Sequence, residues 1–317
     1  MEYRTLGPTG LKVSVTGLGC NNFGMRIDKD QSVAVVEKAL DVGINFFDTA
    51  DVYGGTKSEE FLGEALGSRR NSIVLATKFA SPVAGDDPMK RGGSRRWIMQ
   101  AVEDSLRRLG TDYIDLYQYH FPDPETPIEE TLHALDTLVR QGKVRYIGSS
   151  NMTAWQVVES EWTSRTEHTA KFVTAQNEYS LLNRRVEREL VPACEKYGIG
   201  ILPYFPLASG FLSGKYRRGE EAPQGTRLAL WGARGQAVLS EENFAVLEGL
   251  ESFASARDHS MLGLAFGWLA SHDYVPSVIA GATSPEQVEQ NAKATEWRLT
   301  ADEMAEVDQI TKREKQS

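Results

Sequence analysis

Residues 98–147 read IMQAVEDSLRRLGTDYIDLYQYHFPDPETPIEETLHALDTLVRQGKVRYI, and they contain two helical patterns, each followed by a short apolar run. In each helical pattern, apolar side chains recur at three- and four-residue steps and form one stripe that faces a sheet. The runs at residues 114–119 and 144–147 are typical of strands buried on both faces. Because helical crossovers connect parallel strands, this alternation predicts a parallel sheet.

The same alternation extends along the chain in both directions. Similar apolar runs occur at residues 15–18, 44–47, 73–76, 172–175, 199–204 and 278–280. Eight strands with intervening helices predict an α/β fold, a (β/α)8 barrel that occupies residues 1–317 as a single domain. A doubly wound open sheet is the alternative. Before the first run, the turn Pro8-Thr9-Gly10 separates two short strand patterns and predicts an N-terminal β-hairpin.

Two connections are longer than a barrel requires. Residues 80–93 and 209–236 are rich in glycine, proline and charge. Long loops in compact domains are usually functional, and both of these follow strands. We therefore expect them on the carboxyl-terminal face, where barrels carry their active sites.

Composition excludes several classes of protein. The 317 residues include 35 Lys plus Arg against 44 Asp plus Glu, a net charge of −9 that disfavours nucleic acid and anionic membranes as partners. The two cysteines are too few for a disulfide framework, and the five histidines lack metal-ligand spacing, so we expect no metal. Without a signal-peptide pattern or a membrane-length apolar run, the sequence predicts a soluble, cytoplasmic protein.

Ionisable side chains follow three successive predicted strands. Asp48 and Tyr53 follow the second strand of the predicted barrel, Lys78 ends the third, and His120 ends the fourth. If these strands are neighbours, an acid, a phenol, an amine and an imidazole meet at one rim. Such convergence is typical of coupled proton chemistry.

Physical roles follow from the types of these four groups. An ammonium beside a phenol favours phenolate, so Lys78 is expected to lower the pKa of Tyr53 from about 10. Asp48 is the carboxylate available to keep a buried Lys78 charged. His120 is expected to donate a hydrogen bond to a substrate oxygen. The set suits protonation of an oxygen that is becoming an alkoxide, as in carbonyl reduction.

Four motifs at consistent spacing resemble those of the aldo-keto reductases. They are GINFFDTADVYG at 43–54, SLRRLGTDYIDL at 105–116, VRYIGSSN at 144–151 and GATSPEQ at 281–287. The resemblance runs nearly end to end. It implies a (β/α)8 barrel, a nicotinamide cofactor and reversible carbonyl reduction, with Asp48, Tyr53, Lys78 and His120 as catalytic residues.

The same resemblance implies cofactor contacts. It makes Ser150, Asn151 and Gln176 partners of the nicotinamide carboxamide, which needs both donors and acceptors. Tyr204 matches the residue that stacks on the nicotinamide ring. The backbone of a glycine-rich loop and the side chain of a lysine are implied to hold the pyrophosphate; the positions are Leu207, Ser209, Gly210, Leu212 and Lys215.

The adenosine end departs from the family pattern Gly-x-Arg-x-x-x-Gln-x-x-x-Asn. Here Gly281, Gln287 and Asn291 match the pattern, but Thr283 replaces the arginine. Recognition of a 2′-phosphate usually uses a guanidinium or an ammonium, whereas threonine offers one neutral hydrogen bond. The resemblance implies NADPH as the cofactor. Because Thr283 replaces the arginine, NADH is the alternative.

Rival interpretations are weaker. The segment Gly17-Leu18-Gly19-Cys20-Asn21-Asn22 resembles a dinucleotide fingerprint but lacks its third glycine, and GSSNM at 148–152 lacks the last glycine of a hydrolase elbow. In a barrel, the early segment instead borders the substrate. The predicted substrate walls are largely aromatic and suit an apolar or cyclic carbonyl compound; they are Asn22, Phe23, Tyr119, Phe121 and Trp231.

The expected partner is a small-molecule carbonyl compound or alcohol. The barrel also resembles the cytoplasmic β subunits of potassium channels, which keep the scaffold and the cofactor while serving chiefly as bound partners. A protein partner follows only from that alternative, which ranks behind a reductase because all four catalytic side chains are present.

Overall fold

Eight parallel strands form the main sheet of the computed structural model, which describes residues 1–83, 85 and 87–312. Along the sheet, the order is β10-β3-β4-β5-β6-β7-β8-β9, and β1 and β2 form a separate antiparallel pair. The bounds are β1 (Tyr3–Thr5), β2 (Lys12–Ser14), β3 (Thr16–Gly19), β4 (Phe46–Asp48), β5 (Val74–Phe79), β6 (Ile114–Tyr119), β7 (Val144–Ser150), β8 (Phe172–Glu178), β9 (Gly200–Tyr204) and β10 (Val278–Gly281).

Helices connect successive strands, as the periodicity predicts. Asp28 begins the first helix with a capping box to Gln31, and Gly110 ends the third in the left-handed region at φ 61°. The bounds are α1 (Lys29–Asp41), α2 (Lys57–Leu66), α3 (Arg95–Leu109), α4 (Ile128–Arg140), α5 (Ala154–Glu167), α6 (Leu190–Tyr197), α7 (Arg227–Leu230), α8 (Ala233–Val238), α9 (Glu241–Ser255), α10 (Met261–Ala270), α11 (Pro285–Ala294) and α12 (Ala301–Thr311).

The strands curl into a nearly closed (β/α)8 barrel, which confirms the predicted fold. All eight predicted runs form strands of this sheet, and the ends of the sheet come together where the backbone N–H of Ile201 in β9 donates to Tyr274 O, 2.8 Å away. Tyr274 lies just before β10. A doubly wound open sheet is thereby excluded.

The predicted N-terminal hairpin is also confirmed, and it lies against the barrel interior. Leu6 and Val13 are fully buried in one apolar cluster with Leu116 of β6 and Leu202 of β9. At Gly7, a Cβ would lie 2.1 Å from Val173 O at the start of β8. The hairpin therefore fills the end of the barrel where the strands begin.

Both long connections follow strands at the opposite end. The first lies between β5 and α3, and within it Ala84 and Asp86 fall outside the described residues. The second contains a 3₁₀ segment, Ala208–Ser213, and then α7 and α8, so it has more regular structure than its glycine and proline content indicates. Within it, the buried Leu228 packs α7 against the apolar core.

Candidate functional site

The polar floor of the site continues the inward-facing rows of three neighbouring strands. Side chains on a strand alternate between its two faces. Phe46 in β4, Ala76 in β5 and Leu116 in β6 belong to the interior apolar cluster. Two residues further along these strands stand Asp48, Lys78 and Gln118, all buried. The register of the parallel strands therefore brings the three polar groups together.

Lys78 lies at the centre of the predicted catalytic group. Its ammonium is fully buried and donates to Asp48 Oδ2 at 2.6 Å and to Thr49 O at 2.8 Å. The same nitrogen donates to the hydroxyl of Tyr53 at 3.4 Å. Burial lowers the pKa of Lys78, but the Asp48 carboxylate and Tyr53 outweigh burial and raise it overall. Lys78 is thus held as a cation beside a phenol.

The pKa of Tyr53 differs from the sequence-based expectation. Burial raises the pKa of Tyr53, and although Lys78 acts in the expected lowering direction, it does not reverse the effect of burial. Asp48 adds to the rise because a carboxylate disfavours a second nearby anion. Tyr53 is therefore a neutral phenol at physiological pH, able to give a proton.

The second oxygen of Asp48 is held by two amides. Gln118 Nε2 and Gln176 Nε2 each donate to Asp48 Oδ1 at 2.9 Å. Gln176 Nε2 also donates to Gln118 Oε1 at 3.2 Å. With Lys78 on Oδ2, the carboxylate is hydrogen-bonded on both sides. Gln118 was not among the residues predicted from sequence, although its place on β6, two residues after the inward-facing Leu116, marks it as inward-facing.

His120 stands on the other side of Tyr53. The two rings meet edge to face with centroids 5.8 Å apart, and the imidazole stacks on Phe121 at 4.8 Å. Its Nδ1 lies 3.1 Å from Ser81 Oγ, in the first long connection. Burial, and next the charge of Lys78, lower the pKa of His120 to about 3. His120 is therefore neutral at physiological pH.

Asn151, just after the end of β7, is hydrogen-bonded to His120 and to Tyr204. Its backbone is left-handed at φ 57°, and its Nδ2 donates to His120 O at 2.9 Å and to Ser150 Oγ at 3.1 Å. Its Oδ1 accepts a hydrogen bond from the hydroxyl of Tyr204 at 2.8 Å. Asn151 therefore fixes the positions of His120 and Tyr204 relative to each other.

A cavity of about 840 Å³ opens above these groups. It is large enough for an extended ligand of drug size or more. Most of the residues predicted from sequence line it, namely Asn22, Asp48, Tyr53, His120, Phe121, Ser150, Asn151, Gln176, Tyr204, Leu207, Ser209, Gly210, Lys215, Gly281, Thr283, Gln287 and Asn291. The structure thus brings together segments more than 250 residues apart in the chain.

Five predicted residues do not line this cavity; they are Phe23, Lys78, Tyr119, Leu212 and Trp231. Lys78 is buried beneath it, as described above. Tyr119 occupies the face of β6 opposite to His120, stacks on Phe79 at 5.3 Å and accepts a hydrogen bond from Asp123 N. Because faces alternate along a strand, neighbouring residues 119 and 120 cannot both point inward.

The remaining three residues that do not line the cavity are Phe23, Leu212 and Trp231. Phe23 is fully buried, and its carbonyl lies so close to Gly54 that a Cβ there would be 2.4 Å from the oxygen. Leu212 is also fully buried, while its N–H donates to Leu207 O within the turn. Trp231 contacts the ring of Phe205 edge to face, with centroids 6.0 Å apart.

The segment predicted for the adenosine end is locally organised around Gln287. Its Oε1 accepts hydrogen bonds from the backbone N–H of Thr283 at 2.9 Å and from the Thr283 hydroxyl at 3.1 Å. The hydroxyl that replaces the family's arginine is therefore engaged within the protein.

Two arginines in the cavity lining were not predicted from sequence. Arg26 Nη2 donates to Gly225 O at 3.2 Å, which brings its guanidinium to the segment that carries Arg227. Burial and the nearby charge of Arg26 lower the pKa of Arg227. Within the described part of the chain, neither arginine forms an ion pair with a carboxylate. Their distance in sequence, about 200 residues, left no signal to connect them.

The described residues hold neither a metal-ligand cluster nor a membrane-length apolar helix. Among them, no three His, Cys, Asp or Glu side chains are grouped so that they could hold a metal ion. In the same part of the chain, no helix has the length and apolar character needed to cross a membrane.

Comparison with known proteins decides the family. The sequence profile of the Aldo/keto reductase family matches residues 16–312. The chain belongs to the aldo/keto reductase family. The resemblance inferred from the motifs is thus confirmed, and this aldo/keto reductase has relatives of comparable length.

Three relatives illustrate the range of the family. An uncharacterized oxidoreductase of Bacillus subtilis (strain 168) is 38% identical, over 94% of this chain and 92% of the relative. A probable voltage-gated potassium channel subunit beta of Oryza sativa subsp. japonica is 37% identical, over 93% and 91%. The L-glyceraldehyde 3-phosphate reductase of Escherichia coli (strain K12) is 34% identical, over 98% and 92%.

Membership of this family supports an oxidoreductase that reduces carbonyl compounds. Aldo/keto reductases generally use NAD(P)H, and small-molecule substrates fit the family. The named relatives include both reductases and a channel subunit, so the family alone does not define the activity of a member.

Proposed function

We propose that this protein is an NADPH-dependent reductase of aldehydes or ketones, acting reversibly on the corresponding alcohols, with Tyr53 as the general acid and base. One observation carries the proposal. Lys78 Nζ lies 2.6 Å from Asp48 Oδ2 and 3.4 Å from the Tyr53 hydroxyl, and Tyr53 lines a large cavity together with His120.

The proton step follows from these positions. Tyr53 donates its proton to the carbonyl oxygen, and the adjacent ammonium of Lys78 stabilises the phenolate that remains. Asp48 stabilises the charge of Lys78, which would otherwise be an unpaired cation in a buried site. Ser81 Oγ and His120 Nδ1 lie 3.1 Å apart, and the proposed tautomer of the neutral His120 accepts from Ser81 at Nδ1 and carries its proton on Nε2, which donates to the same substrate oxygen.

The residues of the cavity fit a dinucleotide. Lys215, Arg26 and Arg227 line it without a carboxylate partner within the described residues, and phosphate groups would offset these charges. Tyr204, Ser150, Asn151 and Gln176 are proposed to hold the nicotinamide, and Gly281, Thr283, Gln287 and Asn291 the adenosine. When bound, the reduced nicotinamide supplies the hydride.

The substrate side is proposed to include Asn22 and Phe121. Both line the cavity, and Phe121 is half exposed where it stacks on His120. An aromatic wall beside the proton donors favours an apolar or cyclic carbonyl compound.

Replacement of Tyr53 by Phe tests the proposed acid. The variant Tyr53→Phe keeps the ring and its packing but removes the proton, so we expect carbonyl reduction to fall by roughly 10²–10⁴-fold. The dissociation constant for NADPH should stay close to that of the wild type. Initial rates with a panel of aldehydes and ketones, together with cofactor titrations, measure both. If Tyr53→Phe reduces carbonyl compounds as fast as the wild type, Tyr53 is not the general acid.

A second function, that of a cofactor-bound partner subunit, has support from the name of the relative in Oryza sativa subsp. japonica. The two functions predict different behaviour toward NADPH. A reductase consumes NADPH steadily when an aldehyde is present, whereas a partner subunit binds it without turnover across a broad carbonyl panel. We rank the reductase first because Asp48, Tyr53, Lys78 and His120 are assembled as a proton-transfer group.

A further inference from the structure

A buried pair of amides, Gln118 and Gln176, lies at the floor of the cavity and takes no part in the proton transfer proposed above. Gln118 is fully buried and Gln176 nearly so. Both Nε2 atoms donate to Asp48 Oδ1, and Gln176 Nε2 also donates to Gln118 Oε1. The three side chains come from β4, β6 and β8.

The chemistry of these three groups fixes the orientation of each amide. An ionised carboxylate only accepts hydrogen bonds, so both amides must turn their nitrogen toward Asp48. If Gln176 were reversed, its oxygen would face Asp48 Oδ1 and Gln118 Oε1, which are both acceptors. Each buried acceptor would then lose a donor, at a cost of about 1–3 kcal/mol. Gln118 Oε1 is therefore a second acceptor, besides Asp48, that keeps the nitrogen of Gln176 turned toward the floor.

The consequence concerns the atom that Gln176 offers to a ligand. Gln176 lines the cavity, and both N–H groups of its Nε2 are engaged at the floor. Its Oε1 is the atom left for the cavity, and an amide oxygen only accepts hydrogen bonds. This oxygen thus selects a ligand group that donates a hydrogen bond, such as the N–H of a carboxamide.

We propose that Gln118 is a positioning residue that holds Gln176 with its carbonyl oxygen toward the cavity, where it selects a nicotinamide carboxamide through its N–H. The inference rests on the proposed function, because it takes NADPH as the cofactor. Gln118 acts through Gln176 and does not itself line the cavity.

Equilibrium binding tests this role without turnover. Isothermal titration calorimetry gives the dissociation constants for NADP⁺ and for its acetylpyridine analogue, in which a methyl ketone without an N–H replaces the carboxamide. The wild type should prefer NADP⁺, and Gln118→Met should reduce that preference by up to about tenfold, because Gln176 loses one of the two acceptors that hold its nitrogen at the floor and keeps only Asp48 Oδ1. A general loss of packing would weaken both ligands equally and leave their ratio unchanged.

Tyr117→Phe is the matched control. Tyr117 precedes Gln118 in β6, is fully buried, and its hydroxyl has no hydrogen-bond partner within the described residues. Its removal should leave the ligand ratio at the wild-type value. If Gln118→Met does not fold, as judged by thermal unfolding, Gln118→Leu replaces it.

A double-mutant cycle identifies the path of the effect. In a background of Gln176→Met, Gln118→Met should change the ligand ratio no further. A ratio that stays at the wild-type value in both Gln118 variants overturns the inference, as does an additive effect in the cycle. Turnover of NADPH by the wild type is measured alongside. No turnover rejects both the proposed function and this inference. Turnover by the wild type, with an unchanged ratio of the two dissociation constants in the Gln118 variants, rejects the inference alone.

Discussion

Asp48 accepts three hydrogen bonds, from Lys78 on one oxygen and from Gln118 and Gln176 on the other. Hydrogen bonds to an ionised group are stronger than neutral ones, and several of them together offset the cost of burying a charge. This arrangement keeps the carboxylate fixed while it stabilises Lys78. At the scale of single residues, the site therefore combines a fixed ion pair with a neutral phenol and a neutral imidazole.

The neutral imidazole leads to a prediction about pH. Because burial and Lys78 lower the pKa of His120 to about 3, its protonation state does not change between about pH 5 and 8. The raised pKa of Tyr53 keeps its phenol neutral across the same range. We therefore expect kcat for carbonyl reduction to show no inflection near pH 6.5. Initial rates across that range measure it, and a midpoint between about pH 6 and 7 would contradict the assignment.

A second residue-scale prediction concerns cofactor choice. Thr283→Arg introduces the guanidinium that the family pattern contains, and its hydrogen bonds to a 2′-phosphate should raise the preference for NADPH over NADH about tenfold. The ratio of kcat/KM for the two cofactors measures this. Thr283→Ser is the control, because it keeps the hydroxyl that donates to Gln287. An unchanged ratio in Thr283→Arg would show that the 2′-phosphate lies elsewhere.

At the scale of elements, the hairpin of β1 and β2 completes the barrel core. Leu6 and Val13 reach the interior apolar cluster, to which six of the barrel strands contribute residues, namely β4, β5, β6, β8, β9 and β10. A barrel interior is a packed core, and its end must be filled by side chains from outside the strands. The hairpin is therefore a part of the folding unit.

Leu6→Ala tests that role. Removal of a fully buried leucine side chain should lower the free energy of unfolding by about 2–5 kcal/mol, through lost burial and the cavity left behind. Leu230→Ala, at a leucine that is mostly exposed in α7, should change it by less than about 0.5 kcal/mol. Denaturant titration compares the two. Equal effects would mean that the hairpin packs loosely.

How far sequence predicts this molecule is clearest in β6. The apolar run at residues 114–119 predicts the strand at its exact bounds, because burial on both faces leaves a strong pattern. The predicted substrate wall at Tyr119, however, ignores the alternation that turns it away from His120. Gln118 follows from the same alternation. Ser81 and Arg227 do not, because only the folded chain brings their loops to the site.

At the scale of the whole molecule, charge is distributed unevenly. The chain carries a net charge of −9, yet the cavity lining includes Arg26, Lys215 and Arg227, and its carboxylate Asp48 is paired with Lys78. A local group of cations attracts an anion even when the molecule as a whole is acidic. The overall charge disfavours extended polyanions as partners but not a dinucleotide.

Arg227→Met tests this local attraction. Loss of the guanidinium should weaken NADPH binding about tenfold, and the remaining affinity should depend less on salt. Arg217→Met is the matched control, because Arg217 lies in the same connection, is paired with Glu251 and does not line the cavity. Titrations at two ionic strengths compare the variants. Equal affinities for all three proteins would place the cofactor phosphates away from Arg227.

The packed hairpin also determines where ligands enter and leave the barrel. Because Leu6 and Val13 fill the end of the barrel where the strands begin, ligands exchange at the opposite end, where the long connections lie. On the proposed function, the dinucleotide and the carbonyl compound therefore enter and leave at the same end of the barrel. On that function, a ligand that lies beneath the other has to bind first and leave last, so the single open end imposes an order on binding and release.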